Sequence, residues 1–93
     1  MTDGLQYPEV LANTRPDYTK EALDASIEGV IVLKVVIRKD GLVDNVEVVQ
    51  GLGYGLDEAA IEAVMTEWRF KPATLNGEPI DHPANIEISF NIQ

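Results

Sequence analysis

The sequence predicts an α+β fold, and three observations predict it. Apolar residues alternate through Gly29 to Arg38, meet Asp40-Gly41 and are followed by Val43 to Gln50, the pattern of an antiparallel hairpin. Ala60, Ala63, Val64 and Trp68 recur at helical spacing behind a glycine-rich stretch. Ile86, Ile88, Phe90 and Ile92 alternate with Glu87, Ser89 and Asn91, so the chain closes on a further strand.

The chain has 93 residues, the size of one domain with one core. It contains no cysteine, so neither a disulfide nor a thiolate metal site can staple it, and the apolar core must suffice. Sixteen acidic against seven basic residues give a formal net charge of -9. That charge repels phosphate backbones and anionic lipid, so nucleic acid is not an expected partner. The apolar runs Val30 to Leu33 and Val35 to Ile37 fall far short of the roughly 20 residues of a membrane helix. Met1 to Gln6 has neither the basic start nor the apolar stretch of a signal peptide. Any targeting or anchoring element is expected outside these residues.

Taken in order, Tyr7 to Tyr18 carries Pro8 and Pro16, each of which lacks an amide donor and biases its predecessor toward extended backbone. An extended arm is expected. Thr19 is a candidate cap for a two-turn helix with apolar Ala22, Leu23 and Ile27, ending near Gly29. In the next strand Ile31, Leu33, Val35 and Ile37 share one face, and Lys34 and Arg38 the other. Asp40-Gly41 turns the chain into Val43 to Gln50, where Val46 and Val48 align. Asp57 is expected to cap the second helix, with Leu56 and Ile61 as a hydrophobic staple and an end near Glu67 to Arg69. Asn76-Gly77 marks a tight turn between Phe70 to Leu75 and Glu78 to Ile80. Pro79 and Pro83 limit how much of that stretch joins a ladder.

Gly51-Leu52-Gly53-Tyr54-Gly55 lies between a strand and a helix, where glycine loops can cradle phosphate. Its spacing is not G-x-G-x-x-G, and Asp57 and Glu58 sit where an anion would dock, so no nucleotide cofactor is expected. His82 is the single histidine, and a metal site would need two or three further ligands beside it. Ser26 and Ser89 lack a nucleophile-elbow context, and Glu58 and Glu62 form a solvated helix face. No catalytic role is expected. Trp68 ends an apolar stripe and is assigned to the core, while Tyr18 could anchor the fold or stand at an interface.

The ordered pieces Arg15-Pro16-Asp17-Tyr18, Ile27-Glu28-Gly29, Val35 to Gly41, Val46 to Val49, Leu56 to Ala60, Trp68 to Ala73, Asn76-Gly77 and Ile86 to Ile92 carry a family pattern. Over residues 8–93 this set resembles the C-terminal domain family of TonB-type energy transducers. The resemblance implies two helices packed on a three-stranded antiparallel sheet with the last strand at an edge, residues 15–93 forming that domain behind an extended arm over 1–14. It implies a periplasmic domain of a protein anchored in the inner membrane, working with ExbB and ExbD. It further implies capture of a TonB-box peptide of an outer-membrane transporter as an added strand, and no enzymatic activity or cofactor. Carried over, the contacts fall on Arg15, Pro16, Asp17 and Tyr18, and on Asn85, Ile86, Glu87, Ile88, Ser89, Phe90, Asn91 and Ile92.

The final strand itself supports that expectation, because beyond Pro83 it holds no proline and one charge, Glu87, and so lacks the usual guards against strand addition. Which amides face outward stays open: those of Glu87, Ser89 and Asn91, or those of Ile86, Ile88, Phe90 and Ile92. The edge could also be covered by the Leu5 to Asn13 arm or pair with its own copy in a homodimer. The competing class is an envelope or sensor interaction module with the same fold and no transporter partner.

Overall fold

The computed structural model describes residues 4–92. Its centre is a three-stranded antiparallel sheet of β3 (Gly29–Ile37), β4 (Val43–Gln50) and β8 (His82–Phe90) in the order β4-β3-β8. Two helices, α1 (Lys20–Asp24) and α2 (Leu56–Thr66), accompany this sheet. Ile31, Leu33, Val35 and Ile37 of β3 are all buried, as are Ile86, Ile88 and Phe90 of β8. They meet Ala22 of α1 and Leu56, Ala60 and Val64 of α2 in one cluster. Burying each of the large aliphatic members contributes roughly 1.5–3 kcal/mol, so the period-two pattern of β3 is the main local source of stability.

Two small sheets accompany the central one, and of these the sequence pattern predicted the Asn76-Gly77 turn but not the pairing with the arm. The arm is extended as expected but not solitary: β1 (Leu5–Gln6) pairs with β6 (Ala73–Leu75), and β2 (Glu9–Ala12) with β5 (Arg69–Lys71). β6 continues through Asn76-Gly77 into β7 (Glu78–Ile80), and both turn residues have positive φ as an Asn-Gly hairpin turn requires. Among the described residues the arm therefore adds no strand to the outer edge of β8.

Several boundaries differ from expectation for identifiable reasons. Thr19 caps α1 by accepting from the Ala22 amide at 3.1 Å. The helix stops at Asp24 rather than Ile27 because Ser26 is left-handed, with Ser26 N–H on the Leu23 carbonyl and Ile27 N–H on that of Ala22. This is a Schellman closure without the glycine that normally announces it. In the β3–β4 turn Gly41 alone has positive φ, and a Cβ there would lie 2.4 Å from the Phe70 carbonyl oxygen, whose residue donates its amide to Gly41. Glycine is needed there twice over. At α2 the N-cap is Gly55, with no side-chain bond, and Leu56 is the first, fully buried helical residue, so Asp57 is not the cap. Asp57 Oδ1 instead accepts from Leu52 N–H at 2.8 Å and Gly53 N–H at 3.3 Å, tying the glycine loop to the helix. β8 begins at His82, earlier than expected, and ends at Phe90, leaving Asn91 and a part-exposed Ile92 beyond it.

Candidate functional site

β8 lies at the edge of the central sheet, so among the described residues no strand runs beside one row of its backbone groups. Which row follows from the neighbouring strand. Val30 turns its carbonyl toward β4, where it accepts from Gln50 Nε2 at 2.9 Å, and Arg38 N–H bonds Leu42 across the same hairpin at 2.8 Å. Both residues are even-numbered, and β3 pairs with β8 over nine consecutive residues without a register shift. Odd residues of β3 therefore turn to β8, where they meet His82, Ala84, Ile86, Ile88 and Phe90. The alternate residues Pro83, Asn85, Glu87 and Ser89 turn their backbone groups outward. Two further observations agree with this parity. Pro83, which has no N–H, occupies an outward position, and the Ile92 amide turns inward to Glu28 Oε2 at 3.3 Å.

Beside this edge lies a groove of about 370 Å³ lined by Glu87, Ile88 and Ser89 on one side and by Asn13, Thr14, Arg15 and Trp68 on the other. The far wall is built where the arm leaves β5 after the register shift between Val10 and Ala12. Trp68 Nε1 donates to the Thr14 carbonyl at 2.9 Å, and the Thr14 hydroxyl donates to the Glu67 carboxylate. Trp68 is accordingly half-buried rather than a core residue: it packs on the core periphery, 6.1 Å from the Phe70 ring, and shows a side to the groove. An indole at a helix end must find an acceptor for its N–H, which is the signal that could have placed it near the arm.

The remaining predicted contact residues divide. Arg15 lines the groove and forms no ion pair among the described residues. Pro16 is buried, and Arg15, Pro16 and Asp17 together line a second cavity against Ala59, Glu62, Ala63, Thr66 and Glu67 of the α2 side. Tyr18 stacks edge-on against Phe90 at 5.2 Å and donates its hydroxyl to the Ile27 carbonyl at 2.8 Å. Its phenol is held above its ordinary value by desolvation and then by the charge of Glu28, with Arg15 opposing. The side chains of Ile86, Ile88 and Phe90 point into the core, whereas Asn85, Glu87 and Ser89 are exposed. Asn91 and Ile92 follow the strand's end.

His82 Nδ1 lies 2.7 Å from the Pro83 carbonyl and its ring meets Tyr7 edge-on. Among the described residues no three His, Asp or Glu groups gather as metal ligands.

Comparisons with known proteins bear on the family and the fold. A family profile described as "Gram-negative bacterial TonB protein C-terminal" matches residues 14–92. The chain belongs to the TonB C-terminal family. Protein TonB of Vibrio cholerae is 29% identical over 85 residues, covering 90% of this chain and 34% of that protein. Protein TonB of Escherichia coli is 31% identical over 65 residues, covering 70% and 27% respectively. This TonB-family chain thus spans about a third or less of the length of those relatives. The solution structure of the Pseudomonas aeruginosa TonB C-terminal domain superposes with a TM-score of 0.72 at 25% identity, covering 92% of this chain and 87% of that one. The fold is that of a TonB C-terminal domain, with the central sheet flanked here by the two small arm sheets.

Proposed function

We propose that this domain is the peptide-binding end of a TonB-type energy transducer. It takes the TonB-box segment of an outer-membrane transporter as an added strand on β8. In this reading the domain lies in the periplasm and belongs to a protein anchored in the inner membrane, where ExbB and ExbD supply proton-driven motion. The single observation that supports it best is the β8 edge, which has no neighbouring strand among the described residues and whose outward residues Glu87 and Ser89 line a groove with the arm. Each backbone bond made to an added strand is worth about 0.5–1.5 kcal/mol net, so a segment of five residues is held firmly enough to pull on and weakly enough to let go. No catalytic step is required of any residue.

Amide exchange along β8 tests the proposal. In the free monomer the amides of Asn85, Glu87 and Ser89 exchange fast while those of Ile86, Ile88 and Phe90 are protected by β3. A TonB-box peptide slows the first set and leaves the second unchanged. Protection of all six amides before peptide is added would show an edge already occupied, by a second copy if the protection rises with concentration, and would remove the basis for strand addition.

A further inference from the structure

Asparagine followed by glycine occurs once in the chain, at the turn where the start of the arm is fastened. Asn76 and Gly77 are exposed and both have positive φ. The hairpin they close is short: β6 and β7 pair over three residues, and one of those, Pro79, has no donor. The Asn76 amide donates to the Gly4 carbonyl at 2.9 Å, and by alternation Thr74 turns its backbone groups to Gln6 of the same arm. A Cβ on Gly4 would fall 2.0 Å from Asn76 Oδ1, so the side-chain amide of Asn76 lies against the backbone of Gly4. Main chain and side chain of Asn76 thus both hold the arm.

The same residue is chemically labile. The Gly77 N–H makes no backbone hydrogen bond among the described residues, and nothing lies within 4 Å of where a side chain on Gly77 would begin. Its nitrogen can therefore reach the Asn76 side-chain carbonyl carbon whenever the turn opens. Asn13, Asn45, Asn85 and Asn91 are exposed too, but they precede Thr14, Val46, Ile86 and Ile92, whose β-branches crowd the attacking nitrogen. We propose that Asn76 is a self-modification site whose reaction unlatches the arm. The Gly77 nitrogen bonds to Asn76 Cγ as the Cγ–Nδ2 bond breaks, and ammonia leaves with the Gly77 amide proton. Water then opens the cyclic imide, at Cγ to give aspartate or at the main-chain carbonyl to give isoaspartate. In isoaspartate the backbone runs through the former side chain and is one carbon longer, so the turn loses the left-handed pair that a two-residue hairpin needs, and with it the contact to Gly4. The core is spared, because Leu75, Asn76 and Gly77 are all exposed. Docking and reaction oppose each other: the docked arm restrains the side chain that must react, and the reacted turn no longer receives the arm.

The test ages the 93-residue domain, Asn76→Gly and Gln6→Pro at neutral and mildly alkaline pH. Peptide mass, chromatography of the aspartate and isoaspartate products, and amide exchange are read. Asn76→Gly keeps the left-handed turn and removes the reacting amide, and Gln6→Pro removes the donor that faces Thr74. Asn76 is expected to exchange its side-chain NH2 for OH well ahead of the other four asparagines, at a rate that rises with pH. Gln6→Pro speeds the conversion by about 2- to 13-fold, the factor that one backbone bond is worth. The isoaspartate product loses protection of the Gln6 amide and retains that of Ile86 and Ile88, while aged Asn76→Gly retains all three. Conversion at Asn76 no faster than at the other asparagines overturns the site. Isoaspartate at 76 with Gln6 still protected, or an equal rate in Gln6→Pro, overturns the latch.

Discussion

Replacing Ser89 by proline separates the two rows of backbone groups on β8. Ser89 lies opposite Val30, whose carbonyl is already engaged by Gln50, so the Ser89 amide turns away from β3 and contributes nothing to the ladder. Pro83 occupies the same kind of position six residues earlier in the same strand. Ser89→Pro therefore costs the fold little, within about 1 kcal/mol, since no internal bond is lost and an extended strand is compatible with the proline ring. Toward an added strand the effect is large. One donor worth about 0.5–1.5 kcal/mol disappears, a factor of about 2 to 13 in affinity, and the ring fills the space where the partner carbonyl would approach. A loss of at least about tenfold is expected. Ile88→Pro is the control: its amide faces Ile31 and its side chain is buried, so both a ladder bond and a core side chain are lost, costing about 3 kcal/mol or more. Thermal unfolding and peptide titration of the two variants give the answer. If Ser89→Pro unfolds like Ile88→Pro, the outward set has been assigned backwards, and if it folds and binds peptide as well as the parent, β8 is not the binding edge.

Trp68→Ala removes a half-buried indole and its bond to Thr14, and should destabilise by about 2 kcal/mol, lowering the thermal midpoint by about 8–16 °C. An unchanged midpoint would mean that the arm is not fixed through this contact. Asp57→Ala leaves the Leu52 and Gly53 amides without their carboxylate and removes a negative charge from the start of α2, a loss of about 1.5–3 kcal/mol in urea unfolding that Asp57→Asn should partly restore. Identical urea midpoints for all three proteins would contradict this role. Tyr18 has a raised pKa in the fold, so its contribution is complete below about pH 10, the value of an unfolded tyrosine, and is lost as pH rises through the folded value. Tyr18→Phe should flatten that alkaline decline and lower stability at neutral pH through the missing bond to Ile27, and an unaltered alkaline slope would show that another group titrates there.

How far the sequence reaches is visible in particular residues. The hairpin of β3 and β4, the buried set Ile31 to Ile37 and the α2 positions Ala60, Ala63 and Val64 are all legible, because a period of two or of 3.6 is imposed by burial on one face. The early end of α1 is not, because serine adopts the left-handed closure at a cost that only the tertiary contact of Ile27 offsets. The role of Asp57 is hidden for a related reason: a cap and a loop anchor use the same carboxylate, and the choice between them depends on where Leu52 and Gly53 fold back. The arm pairing with β5 and β6 joins residues more than 50 positions apart through strands of two to four residues, too short to announce themselves. Of the contact residues implied by the family pattern, Arg15 lines both the groove and the second cavity while Asp17 lines the second cavity, on either side of the buried Pro16, and no local motif announces that placement.

The outward row of β8 is a different case, since its parity was present in the sequence in the form of Pro83. A proline inside a strand cannot donate to the ladder, so its own amide position must face away from the paired neighbour, and every second residue after it must do the same. Asn85, Glu87 and Ser89 follow from Pro83 by counting, once β8 is known to begin at His82. Starting the strand after Pro83 discards that marker and leaves both rows open. The same proline bears on where a partner strand can sit. At Pro83 the edge offers a carbonyl but no donor, whereas from Asn85 onward both groups are present, and past Phe90 the strand ends and the Ile92 amide donates to the Glu28 carboxylate. Complete pairing is thus confined to the outward residues Asn85, Glu87 and Ser89, of which Glu87 and Ser89 line the groove with Arg15 and Trp68. In the proposed reading a segment added here is held over a short register by backbone bonds, beside a wall that the arm supplies through Asn13, Thr14 and Arg15.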